Sequence, residues 1–171
     1  LFRSGAGRAP WPELGTTLTE TQRDALKAHL EDNAEAIKLL REATTLPRSR
    51  YPMDLTRGFN TLLPHLAQIK SMTLLLRRDV LLHADAHNAA EALKSLEASF
   101  AMSGTLAREP LLISDLVRIA CVTITVSGME TALTELKFSE DDLRQIARRL
   151  EKAESETVEA YTRSMAGERC V

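Results

Sequence analysis

The chain has little of what usually marks a chemical site. Aromatic residues fill 4% of its 171 positions, and it holds only seven glycines, six prolines and two cysteines. Neither GxGxxG nor GxxxxGK[ST] occurs, which excludes the glycine-rich turns that cradle phosphates. No GxSxG offers a nucleophile elbow, and no HExxH sets two histidines on a zinc-binding helix. Cys121 sits in an apolar run and Cys170 in the tail, with neither metal-ligand nor CxxC spacing, so Cys121 reads as an inert core residue.

Charge of one sign is missing too. The 22 basic and 24 acidic residues are interspersed and leave a net charge of −2, so no field draws in nucleic acid or an anionic membrane. No nucleic-acid partner is expected. No uncharged apolar run reaches bilayer-spanning length, because the most apolar segment, Leu111 to Val126, contains Asp115 and Arg118. The chain opens LFRSGAG without an initiator methionine, which leaves room for a targeting segment removed upstream.

What is abundant is alanine, leucine, glutamate and arginine, the residues that lose least conformational freedom in a helix. The length suits one domain. The expected fold is all-α: about five helices packed as a bundle or short superhelix of antiparallel hairpins over residues 19–166. An extended arm, 1–18, whose Trp11 packs on the body, precedes it, and a tail, 167–171, follows.

Periodicity places the helices. Thr19 and Gln22 form a capping box before a stripe from Ala25 to Ala43, predicting one helix from about Glu20 to Thr44. Apolar residues from Leu63 to Leu81 predict a second helix, and Ala92, Leu93, Leu96 and Phe100 a third, which Ser103-Gly104 ends. Beyond Pro110 the segment to Leu136 is apolar on most sides, as in a central helix. Its β-branched run Ile119 to Val126 competes as a strand, but nothing else in the chain offers a strand to pair with it. Ser139 and Asp142 cap the last helix, with Phe138 and Leu143 set as a hydrophobic staple. The two capped starts, Leu18-Thr19-Glu20 and Phe138-Ser139-Glu140, share a spelling that needs no more than two independent caps.

Two groups of residues are candidates for chemistry. RYPMDLTRGFNTLLPH, residues 50–65, gathers Arg50, Tyr51, Asp54, Arg57, Asn60 and His65 around two prolines, and Arg108 and Glu109 stand at the mouth of the central helix. Prolines, a glycine and the Asp54 cap are what an ordered corner between two helices requires, with Tyr51, Met53, Leu55 and Phe59 pinning it down. The same polar residues would serve a ligand if they converge on a concave pocket. The second group is Asp79, His83 and His87, spaced i, i+4, i+8; on one helical face a carboxylate and two imidazoles could hold a divalent ion. Glu140, Asp141 and Asp142 have a simpler role, favouring the helix dipole in a first turn.

LLLRRDVLLHADAHNAAEALKSLEASFAMSG, residues 74–104, resembles a tetratricopeptide-repeat hairpin, with Ala92 and Leu96 at the small and apolar positions of its second helix and His87 where the turn glycine would stand. It spans about one repeat, where an array needs several. More broadly, DNAEAIKLLREATTLPRSRYPMDL, FNTLLPHLAQIKSM and AREPLLISDLVRIA, within residues 30–120, resemble uncharacterised helical bacterial proteins with an N-terminal membrane anchor. That resemblance implies a periplasmic or membrane-anchored location and assigns no activity. The leading expectation is a non-enzymatic interaction or scaffold domain, without a cofactor, that takes a protein partner in an apolar groove. The alternatives are a small-ligand binder or enzyme using the 50–65 corner and the 108–109 turn, and a metal-binding bundle.

Overall fold

The computed structural model describes residues 18–46 and 49–169; the arm with Trp11, the tail cysteine Cys170 and the side chains of Phe59 and Asn60 lie outside the described residues. Six α-helices appear among them: α1 (Glu20–Asp32), α2 (Ala34–Ala43), α3 (Pro64–Asp85), α4 (Ala89–Gly104), α5 (Leu112–Glu135) and α6 (Glu140–Gly167). A 3-10 turn, Leu55–Asn60, occupies the corner between α2 and α3. The fold is an all-α bundle. The run Ile119 to Val126 lies wholly inside α5, so helix wins over strand there.

The expected first helix is two. Asn33 ends α1 and starts α2 with φ −113° and ψ 14°, its amide donates to the His29 carbonyl at 2.8 Å, and its side chain is buried. The apolar stripe continues through this break, which is why periodicity conceals it. Both capping boxes form as read, Thr19 with Gln22 and Ser139 with Asp142. The staple fares differently: Phe138 packs into the core while Leu143 faces solvent.

Three helices form the centre. α3 packs most extensively against α4 and α5, α1 and α2 lie on one side, and α6 rests on α4 and α5. One core cluster joins Leu26, Leu30, Ile37 and Leu40 to Ile69, Leu75 and Leu76; a second joins Val80, Leu96 and Phe100 to Met129, Ile146 and Ala153. Among the described residues only α5 has the length and apolarity to cross a membrane, and it sits against α3, α4 and α6 as a core helix does. Asp115 and Arg118 of α5 are buried as a pair, with the Arg118 Nε donating to Asp115 Oδ1 at 2.9 Å.

The α3–α4 hairpin turns in three residues. Asn88 N–H donates to the His83 carbonyl at 2.8 Å and His87 N–H to the Ala84 carbonyl at 3.0 Å, the paired bonds of a Schellman ending. That ending needs a left-handed residue, and His87 supplies it at φ 54°. Asn88 then caps α4 by accepting from the Glu91 N–H at 3.3 Å.

α4 meets its neighbours through small hydroxyl residues. Ser95, Ser99 and Ser103 recur one turn apart and all are buried. Ser95 Oγ donates to Asp79 on α3, Ser99 Oγ lies 2.6 Å from Thr125 Oγ1 on α5, and Ser103 bonds back to its own helix at Phe100.

The far end of α6 is tied to the loop before α5. Arg163 donates to the Ala107 carbonyl at 2.5 Å, and Glu168 Oε1 accepts from the Leu112 N–H at 2.9 Å, satisfying a donor at the start of α5. Gly167 passes so near Pro110 that a Cβ there would overlap the Pro110 carbonyl, 2.8 Å from its carbon.

Candidate functional site

The 50–65 corner and the 108–109 turn come together. Pro64 opens α3 at its first position, where its missing N–H costs nothing, and this sets His65 in the first turn facing inward. Its Nε2 lies 2.8 Å from Glu109 Oε1, and both side chains are buried. Neither atom meets hydrogen-bond geometry there, so this is a close polar contact rather than an aligned hydrogen bond. Tyr51 covers the imidazole: the rings stack with centroids 4.6 Å apart and planes within 8°, and the Tyr51 hydroxyl donates to Thr105 Oγ1 at 3.1 Å. The corner is thus pinned to both α3 and the end of α4.

The backbone of the corner follows its sequence. Asp54 caps the 3-10 turn by accepting from the Thr56 N–H at 3.2 Å, and Gly58 adopts φ 54°, a left-handed conformation that glycine takes without strain. Thr61 closes the turn by donating to the Gly58 carbonyl at 2.7 Å.

Above Tyr51 opens a cleft of about 1020 Å³. α2 contributes Leu40 and Thr44, the corner Arg50, Tyr51, Met53 and Leu55, α4 Phe100 and Met102, and α6 Arg149, Lys152 and Glu156. Arg108, Glu109 and Pro110 close one end. Leu40, Phe100 and Met102 are its buried apolar lining, and four cations, Arg50, Arg108, Arg149 and Lys152, line it together with Glu109 and Glu156. Arg149 reaches toward Glu97 at 3.4 Å and Lys152 toward Glu156 at 3.7 Å, while Arg50 and Arg108 engage no carboxylate among the described residues.

Of the residues singled out from sequence, Arg50, Tyr51, His65, Arg108 and Glu109 therefore meet at this cleft or directly beneath it. Asp54 and Arg57 do not; both are exposed, and Asp54 serves as a cap. The Asn60 side chain lies outside the described residues. Sequence reading missed Arg149, Lys152 and Glu156, which lie on one face of α6 at helical spacing and look, in the linear chain, like ordinary surface charge.

The histidine face is built differently from the expected metal triad. Asp79 Oδ2 receives Arg41 at 2.7 Å and also the Ser95 hydroxyl, while its Oδ1 is 3.5 Å from His83 Nε2. Arg41 further donates to Glu91 at 2.5 Å. His87 has left the helical register in the Schellman turn, so it does not join the other two. Among the described residues no three His, Cys, Asp or Glu side chains are grouped to hold a cation. Burial works against the Asp79 carboxylate, yet His83, Ser95 and the Arg41 charge together hold its pKa below the usual carboxylate range. This is a structural crosslink between α2, α3 and α4.

Cys121 is fully buried, and burial pushes its thiol pKa up, against the opposing pull of Thr73 and Lys70. It is a packed residue of the first core cluster. Comparison of the chain with family models, curated proteins and solved structures finds no match to any of them, so the cleft's role rests on its own residues.

Proposed function

We propose that the domain is a non-enzymatic interaction module whose cleft takes an acidic, amphipathic segment of a protein partner. One observation carries the reading: the cleft is lined by buried apolar side chains and by four cations, two of them without a carboxylate partner among the described residues. An apolar groove supplies affinity for the buried face of a segment, and flanking charge selects its sign and register. The resemblance of residues 30–120 to anchored bacterial proteins supports a place at the outer face of an inner membrane, which protease accessibility of the full-length protein in spheroplasts would check.

The test is selection of short segments from a displayed random library on the immobilised domain. Segments with acidic residues beside apolar ones should enrich, and the double variant R50E/R108E, checked for folding by circular dichroism, should bind them about tenfold or more weakly. Enrichment without an acidic bias, or binding unmoved by the double reversal, would sink the reading.

A second reading, a small anionic ligand, is favoured by Arg50 and Arg108 reaching one cleft from separate elements beside the Tyr51 ring. Calorimetric titration with inorganic phosphate and simple dicarboxylates, wild type against R108E, tests it.

A further inference from the structure

The cleft over Tyr51 does not stop at Arg108. A second cavity, of about 420 Å³, shares Arg108 and Glu156 with it and continues along α6 to Glu159 and Arg163. The two make one trough, whose α6 wall runs from Arg149 to Arg163, a rise of about 21 Å. α2 and α6 each pack on α4 and make no packed interface with one another, so the trough lies over the end of α4, with α6 on one side and α2 and the corner on the other. Beside the buried Phe100 and Met102, α4 presents small residues to it, Ala101, Gly104 and Thr105. A Cβ built on Gly104 would meet only Glu156 Oε2, at 3.6 Å, so the space above the α4 backbone is open. Leu46 and Leu55 on the far side stay 67% and 37% exposed.

The shape decides how a segment can be held there. Addition as a strand needs a sheet edge, and no strand occurs among the described residues. A polyproline segment needs a row of open aromatic faces, whereas Phe100 is buried and one face of Tyr51 is taken by His65. A helix fits. A cylinder about 10 Å across and about 21 Å long, sunk to half its depth, displaces about 800 Å³, and the cleft alone offers about 1020 Å³. The charges add a pattern, because cations stand on both sides: Arg50 on the corner, Arg149 and Lys152 on α6, with Arg108 where the two cavities meet. Of the carboxylates lining the cleft, Glu109 is turned to His65 and Glu156 toward Lys152.

We infer that the partner segment binds as an α-helix of about four turns, laid over α4 in the gap between α2 and α6, with acidic residues on both flanks of its apolar stripe. The inference rests on the cleft being a groove for an acidic amphipathic segment, and adds the conformation, length and charge pattern of that segment.

The test uses three labelled peptides of about 16 residues, read by fluorescence anisotropy. One sets leucines at i, i+3, i+4 and i+7 with glutamates on both flanks, the second holds the same residues in strict alternation, and the third is the first with a central proline. The helical design should bind about tenfold or more tightly than either of the others, and its ¹³Cα shifts, with the domain unlabelled, should move to helical values on binding. Gly104→Leu fills the space above α4 and favours the helix it sits in, so with circular dichroism unchanged it should weaken the helical peptide about tenfold. If none of the peptides binds, or R50E/R108E leaves binding unmoved, the groove and the bound helix fall together. If acidic peptides bind but the alternating or proline peptide equals the helical one, or G104L binds it as well as wild type, the bound helix is overturned and the groove stands.

Discussion

The Tyr51 ring lies flat on the His65 imidazole, 4.6 Å between centroids, and so joins the irregular corner to the first turn of α3. Tyr51 also reaches Thr105 at the end of α4, which makes it the side chain that holds the corner against the bundle. Tyr51→Ala should destabilise the domain by about 2 kcal/mol, through lost burial and the lost stack. Tyr51→Phe keeps the ring and should cost only about 0.5–1 kcal/mol. Urea unfolding of the two variants checks the order; equal losses would mean that the hydroxyl, and not the stack, holds the corner.

Asp79 is the shared acceptor for Arg41 and Ser95. Replacing it with Asn leaves Arg41 without that counter-charge and should cost about 3 kcal/mol. The pH dependence has a definite sign. Because the folded carboxylate titrates below its unfolded range of about 3.9, its stabilisation is complete above that range and is lost as pH falls through the lower, folded value. Asp85, held down by Arg23, and Glu91, held down by Lys94 and Arg41, act in the same direction. Denaturation midpoints measured from pH 5 downward should therefore fall less steeply for D79N than for wild type.

His29 works near neutrality. It is buried with its Nε2 3.0 Å from the Arg78 guanidinium, and burial, then the Arg78 charge, lower its pKa. The neutral ring is the form that fits. Its contribution is present above the unfolded value of about 6.5 and lost as pH falls toward the folded one. His29→Gln removes the titrating group, so the decline of thermal midpoint with acidification below about pH 6.5 should shrink, and an unchanged decline would place the effect elsewhere.

His87 occupies a glycine's position. Its left-handed φ of 54° costs a residue with a Cβ about 1 kcal/mol. His87→Gly should raise stability by somewhat less than that, because glycine also gains freedom in the unfolded chain, while His87→Val should lower it by about 1 kcal/mol or more. Differential scanning calorimetry reads both, and a destabilised glycine variant would mean that the imidazole contributes contacts outweighing the strain.

Local signals carried most of the helix boundaries. The caps at Thr19 and Ser139, Pro64 at a helix start and the turn before Ala89 each rest on chemistry within a few residues, and the helices begin where those signals stand. Asn33 gave no such signal, because the break it makes leaves the apolar stripe intact. The cleft was half legible. Arg50, Tyr51, His65, Arg108 and Glu109 were recognisable as unusual polar residues beside prolines, whereas Arg149 and Lys152 become part of it only through the packing of α6 over α4, a long-range event. The burial of Asp79 under Arg41 was hidden for the same reason, since a charge in an apolar helix looks like an interruption until its partner is known; Asp115 and Arg118 stand three residues apart on one helix, and there it was the burial of the pair that the chain did not spell out.

The serine file on α4 does more than allow close packing. Ser95 is keyed to Asp79 on one neighbour and Ser99 to Thr125 on another, one helical turn apart. Apolar contacts alone would let α4 shift along its axis at small cost, since one leucine fits much as another does. Two hydroxyl detents facing different helices oppose any shift short of a full turn, for it unmates both at once. α4 thus behaves as the indexed shaft of the bundle, and the cleft residues it carries keep their height relative to the corner and to α6.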